Sequence, residues 1–375
     1  MSEEITRHPA WPIASGVCAT MTGIGLSRFA YAPLLPAIVQ AGWLSGGQAG
    51  ALGAINLAGY LCGAASAAPI GRALGLRHAM RAAMIVTTLC FVLCAEPGGL
   101  FWLAPWRLLT GMSAGVLMVL AGPAVQAVVP AAMRGLAAGL VFAGVGTGIV
   151  VGAILVPLML PQGVSAIWLA LAALAAVLTV FSWRLWPDVE APPAMRLPHL
   201  GGAAGWMVVS YAFSATSQTV HMLWWPDFIA RGLGYSTSTA SLFWLLYGAA
   251  AASGPGLCGW LADRIGAARS LRVVMGVQFV ALLLPLLLHS TAALVLSAIF
   301  AGSTAIGSTA LTLIRARELG GGNATGLWRI STVTFGVTQT LTGFGLAWLY
   351  TQGGHFALFA LGTVAALGAL LTTRR

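Results

Sequence analysis

The chain has 375 residues, of which 59% are hydrophobic and 7% charged, with a mean hydropathy of +0.90 and a formal net charge of +10. Apolar runs of about 20 residues, enough to cross a bilayer, recur from end to end, so an integral membrane protein is predicted and a soluble globular class is excluded. All 18 basic residues are arginines, and most fall at the connections between the apolar runs, which reports membrane topology and not an anionic polymer, so no nucleic-acid partner is expected.

Twelve spans are predicted, at 11–39, 47–70, 79–95, 100–128, 136–160, 164–186, 203–230, 237–259, 270–289, 292–314, 324–350 and 354–371. The segment before the first span, "MSEEITRHPAW", lacks the pattern of a cleaved signal peptide, so the span is expected to be retained. That span holds "GIGLSRFAYAPLLP" (23–36), with Arg28 and Tyr31 inside it. An arginine at mid-membrane costs about 2.5–3.5 kcal/mol on the insertion scale. Arg28 falls about 4–5 Å beyond the midpoint of the span, which makes snorkelling awkward. Of the acidic residues Glu3, Glu4, Glu96, Asp188, Glu190, Asp227, Asp263 and Glu318, Asp227 alone falls within a predicted span, near its outer end. Arg28 is therefore read as marking a solute pathway, against helix carbonyls or water as its partners.

In the second span Asn56 is a weaker lining candidate, with helix–helix adhesion as its alternative role. Cys90 and Cys94 share a face of the third span, where plain packing is expected, and five cysteines spread over apolar spans give no disulfide framework. The fourth span carries Arg107 beside Trp102 and Trp106, near its outer end. It is read either as a second cation bordering the pathway or as an interfacial arginine. In the fifth span Gly144, Gly148 and Gly152 recur every four residues, a spacing that lets helix backbones approach closely. The seventh span sets Tyr211, Ser214, Gln218, His221 and Trp225 at steps of three and four, a polar and aromatic stripe down one face. Gln339 in the eleventh span is a weaker candidate of the same kind as Asn56.

Fifteen arginines fall on one side of this topology; Arg28, Arg107 and Arg231 do not. The positive-inside rule then places both termini in the cytoplasm. The chain also repeats. "LLPAIVQAG" (34–42) aligns with "WWPDFIARG" (224–232), and "RALGLRHAMR" (72–81) with "DRIGAARSLR" (263–272), so that Gly42 meets Gly232 and Gly75 meets Gly266. The offsets are close to half the chain. They divide it into an N-terminal six-helix half (1–186), a Pro-rich linker (187–200) and a C-terminal half (201–375), an arrangement of parallel repeats known among transporters. The offset of the first pair sets Arg28 against Gln218 and Tyr31 against His221 across the repeat axis.

"GWLADRIGAARSLR" (259–272) resembles motif A of the major facilitator superfamily, and "LAPWRLLTGMSAG" (103–115) resembles its motif B. "GIGLSRFAYAPLLP" with "NLAGYL" (56–61) is similar to the YbfB/YjiJ branch of that superfamily. The first-half copy of motif A departs from the pattern, with Arg72 where the second half has Asp263. The resemblance implies an all-α membrane fold of two pseudo-symmetric six-helix halves around a central cavity, and secondary transport of a small solute. It also implies a cytoplasmic gate in which Asp263 meets the start of the fifth helix near Arg134; Arg264 and Arg107 complete the gating candidates.

No nucleotide-binding, zinc-protease or paired-carboxylate pattern is present, so an enzyme is not expected, and no cofactor or metal is called for. The function read from the sequence is alternating-access transport of a small, anionic organic solute by a monomer in a bacterial inner membrane. Its binding residues are Arg28, Tyr31, Gln218, His221, Asn56 and Gln339. The alternatives are a proton-coupled efflux pump for drug-like or neutral amphiphilic compounds and a non-transporting sensor. If protons are coupled, His221 is the first carrier candidate and Asp227 the second.

Overall fold

The computed structural model describes residues 9–130, 133–187, 189, 201–321 and 324–373. The regular elements among them are helices. The first, α1 (Ala10–Thr20), runs into a wide π-helical stretch (Met21–Phe29) and continues as α2 (Tyr31–Gln40). Then follow α3 (Gly46–Leu74), α4 (Leu76–Leu93), α5 (Gly99–Val128), α6 (Arg134–Met159) and α7 (Val164–Ser182). The second series is α8 (Gly202–Asp227) with a short π stretch (Phe228–Gly232), α9 (Thr237–Ile265), α10 (Ala267–Leu287), α11 (Thr291–Gly320) and α12 (Ala324–Thr372). The chain divides into two compact units, Met1–Ala194 and Met195–Arg375. Most of the expected linker, together with Arg7, Arg196, Arg374, Arg375 and the side chain of Arg134, lies outside the described residues.

Among the described residues eight helices are long and apolar enough to cross a membrane, against the twelve spans expected. The difference has local causes. The π stretch splits the first span into short pieces. The polar stripe lowers the hydropathy of α8, and serine, glycine, tryptophan and tyrosine lower that of α9. Two helices run together in α12 across a kink at Gly354, whose φ of 59° and ψ of −156° are non-helical.

Helix ends follow from local chemistry. Ser45 and Gln48 form a reciprocal capping box at the start of α3, and Ser236 and Ser290 cap α9 and α11. The breaks between α3 and α4 and between α9 and α10 fall on Gly75 (φ 75°, ψ 145°) and Gly266 (φ 82°, ψ 154°). These are the glycines aligned by the internal repeat, and they hold the same left-handed conformation, which disfavours a side chain. The other aligned pair does not behave this way. Gly42 has φ 74°, but in the second unit the positive angle is at Gly234 (φ 76°), two residues past Gly232, because the π stretch at Phe228–Gly232 has no counterpart at the end of α2.

Glycine sets the packing inside each unit. In the first, Gly59 and Gly63 of α3 lie on the backbone of Leu108 and Met112 in α5, while Gly111 and Gly115 of α5 lie on the backbone of Asn56, Tyr60 and Ala64 in α3. Four glycines thus interlock one crossing. Gly148 of α6 meets Gly25 in the π stretch, Gly144 meets Val17 and Thr20, and Gly152 meets Ala30. The second unit repeats the α3–α5 crossing between α9 and α11, through Gly254 on Ser303, Gly302 on Tyr247 and Gly307 on Cys258.

Candidate functional site

In the first unit the polar residues gather on the widened turn. Gly23 packs on Ala114 and Leu117 of α5 and Gly25 on Gly148 of α6, so the π stretch is clamped between two helices. At its end the Ser27 carbonyl accepts a 2.6 Å hydrogen bond from Arg107 Nη1. Arg107 is 1% exposed, and its guanidinium lies 4.4 Å from the ring centre of Tyr31 and 5.7 Å from that of Trp168. Its Nε has no hydrogen-bond partner among the described residues. The expectation of an interfacial arginine beside Trp102 and Trp106 gives way here: Arg107 points into the unit and braces the first helix.

Asn56 ties the same two residues together. Its Nδ2 donates to the Arg107 carbonyl and to Thr110 Oγ1, both at 3.0 Å, and approaches Ser27 Oγ at 3.3 Å. Tyr31 is buried and donates its hydroxyl to the Ala49 carbonyl at 2.7 Å. Arg28 is placed differently. It is only partly buried, with its guanidinium 5.5 Å from the ring centre of Tyr60 and 5.6 Å from that of Phe29. The structure therefore brings Tyr31, Asn56 and Arg107 into one buried cluster and leaves Arg28 at its edge.

In the second unit Gln218 Nε2 donates to Ser214 Oγ at 2.7 Å and to Ser308 Oγ at 2.9 Å. His221 is completely buried, with Nε2 2.9 Å from Ser297 Oγ. That hydroxyl gives its own proton to the Ala281 carbonyl at 2.7 Å, so Nε2 is the donor of the pair. Nδ1 then carries a lone pair with no partner among the described residues, between Trp225 and Phe359. Gln339 Nε2 lies 3.5 Å from Met222 Sδ. A small open recess beside Tyr211, Arg272 and Arg315 holds none of the expected binding residues.

Asp227 is the centre of a cluster that sequence reasoning missed. Its buried carboxylate is held by Arg231 and by His355. The four-residue spacing of Asp227 and Arg231 was a visible signal; nothing local pointed to His355. Asp263 and Arg264 are exposed, and Arg264 stacks 4.2 Å from the ring centre of Trp260.

The profile of the family described as "Uncharacterised MFS-type transporter YbfB" matches residues 20–373. A gentisate transporter of Corynebacterium glutamicum is 24% identical over 377 residues, covering 92% of this chain and 83% of that one. A D-xylose-proton symporter superposes with a TM-score of 0.71 at 16% identity over 96% of both chains. A bacterial homologue of the human lysosomal transporter Spinster gives 0.73 at 15% identity, also over 96% of both. The nucleoside transporter NupG gives 0.76 at 12% identity over 97% of this chain and 98% of that one. At these identities the likeness to the solved structures is one of fold.

Proposed function

The chain belongs to the major facilitator superfamily, in the family of uncharacterised YbfB-type transporters, and from that premise we propose that it carries a small organic anion across the membrane. It is a multi-pass membrane protein and a secondary transporter. In our reading twelve spans form two six-helix halves, 1–186 and 201–375, joined by a cytoplasmic linker at 187–200. Both termini are cytoplasmic and the working unit is a monomer. Asp263, Arg264 and Arg134 are the proposed gating residues on the cytoplasmic side.

The observation that carries the substrate class is the contrast between two arginines in the first unit. Arg107 is sealed and bonded to backbone, whereas Arg28, in the middle of the first span, keeps part of its surface open. A guanidinium offers a planar fork of donors matched to a carboxylate. Gentisate, named for the 24% identical relative, is a small aromatic carboxylate and so has the group this fork suits. In the first unit Tyr31 and Asn56 support this reading by fixing the wide turn that carries Arg28; in the second, Gln218, His221 and Gln339 are the proposed binding residues.

The test is uptake of labelled gentisate and other aromatic acids by proteoliposomes. Arg28→Lys keeps charge but loses the fork and should weaken uptake about tenfold; Arg28→Ala should weaken it about 30-fold or more. Uptake by Arg28→Ala at the wild-type level would refute the assignment. Both proton candidates are fully buried, and Asp227 is favoured over His221 because its partners Arg231 and His355 keep part of their surface, whereas His221 is enclosed by Trp225, Phe359 and Ser297.

A further inference from the structure

Asp227 ends α8 with its side chain fully buried. Arg231, four residues on in the π stretch, donates Nε to Oδ1 at 2.5 Å and Nη2 to Oδ2 at 2.6 Å. His355 Nε2 lies 2.8 Å from the same Oδ2. A carboxylate that takes both arms of a guanidinium acts as acceptor only, so the imidazole donates Nε2–H. His355 follows the kink at Gly354, and Gly232 makes room for it: a Cβ there would stand 3.0 Å from His355 Nδ1. Rings close the cluster. Trp224 stacks on Tyr350 at 4.7 Å, and Tyr350 and Phe228 flank the imidazole at 5.0 and 5.7 Å.

Three properties of this cluster point the same way. The carboxylate is sealed, while the Arg231 and His355 side chains retain 18% and 11% of their surface, so the acid reaches the surface of its unit through its partners. A carboxylate cannot hold a proton and a bidentate guanidinium together, so the two compete for it. The imidazole has one nitrogen on the acid and a second that can take a proton, the geometry of a relay. The charged and titratable groups around the pair are Arg231 from the π stretch, Tyr350 from α12 and, across the Phe228 ring, His289 after α10.

We propose that Asp227 and His355 are the proton-binding site of the transport cycle, with Arg231 as the internal cation that the proton displaces. A proton from water enters on His355 Nδ1. The Nε2 proton passes to Asp227 Oδ2 as Arg231 withdraws, which leaves a neutral imidazole and a neutral acid. The return of Arg231 drives the proton out, and no electron moves. The inference rests on the secondary-transport reading above and adds its coupling ion.

The experiment separates coupling from solute movement. Proteoliposomes are assayed with gentisate in two modes: counterflow without a pH gradient, and accumulation under a one-unit gradient imposed in each direction in turn. The wild type should show both, with about tenfold accumulation in one direction if one proton accompanies each solute. In Asp227→Asn and His355→Gln counterflow should persist while accumulation is lost. Arg231→Gln should extend acid activation to higher pH, with Arg231→Lys restoring part of the wild-type profile. Equal loss of both modes would mark a structural role and overturn the proposal, as would wild-type accumulation by Asp227→Asn. If Asp227→Asn does not fold, His355→Gln decides, since it keeps a donor for Oδ2 but does not titrate. Wild-type counterflow without gradient-driven accumulation would defeat proton coupling and leave anion transport standing. Absence of counterflow with gentisate and other aromatic acids would instead defeat the substrate reading, and this proposal with it.

Discussion

Gly63→Ala tests the interlocked crossing of α3 and α5 and its link to the polar cluster. A Cβ at Gly63 would stand 2.6 and 2.7 Å from the C and Cα atoms of Met112, where ordinary contact begins at 3.4 Å. The obstacle is backbone, with the Met112 carbonyl oxygen nearest, so no rotamer relieves it, and the helices have to part by about 1 Å. Asn56 lies two turns earlier on the same face. Its bonds to the Arg107 carbonyl and Thr110, now 3.0 Å, would stretch past useful length. Overpacking costs about 1–3 kcal/mol, and two weakened hydrogen bonds inside a membrane helix bundle add about 0.6 kcal/mol each, giving about 2–4 kcal/mol. Reversible unfolding of the detergent-purified protein by SDS titration, followed by circular dichroism, measures the loss. Gly122→Ala is the control: it sits in α5 with nothing within 4 Å of an added Cβ. There alanine should be neutral or stabilise by up to about 1 kcal/mol. A Gly63→Ala protein within about 0.5 kcal/mol of wild type, or an equal loss in Gly122→Ala, would refute the argument.

Arg107→Ala should cost about 3 kcal/mol in the same titration, because it opens a cavity beside Tyr31 and Trp168 and strips the Ser27 carbonyl of its donor. Arg107→Met, which refills the space without the donor, should cost less. Tyr31→Phe removes a 2.7 Å bond to the Ala49 carbonyl and should lower stability by about 1 kcal/mol with the fold intact. His221→Gln should leave the pH profile of transport unchanged, since the ring is enclosed and its Nε2 contact is met by Ser297; a shifted profile would return His221 to the coupling mechanism.

The helical membrane class and the repeat were legible because both rest on local signals: runs of apolar residues, and glycines where a side chain is not tolerated. Gly75 and Gly266 show this well, since each needs a left-handed angle that the sequence marks directly. The widening of the first helix was not legible. The apolar run continues across Met21–Phe29, and hydropathy does not register which carbonyl an amide reaches. Arg107 shows the related gap between depth and direction. Position along the span suggested the interface, but the side chain turns inward onto Tyr31. His355 stayed hidden because its partner is 128 residues away and it stands at the joint of two merged helices. Asp227 was found as an acid in a span; the cation and imidazole that define its chemistry come from tertiary packing.

The wide turn at Met21–Phe29 has a consequence for how this chain tolerates insertions and deletions. A π turn holds one residue more than the α turn it replaces, so its amides reach back five residues, as Ala30 N does to the Gly25 carbonyl at 3.0 Å. Deleting one residue there would tighten the wide turn to regular winding, and since either turn closes one full circle, the helix beyond would keep its azimuth. The same deletion in the regular helix before it, where each residue carries about 100°, would swing everything beyond and take the Tyr31 hydroxyl away from the Ala49 carbonyl. The wide turn therefore acts as slack in the first helix. A deletion scan along residues 10–30 should find its greatest tolerance at Met21–Phe29, where a hydropathy profile records no change at all.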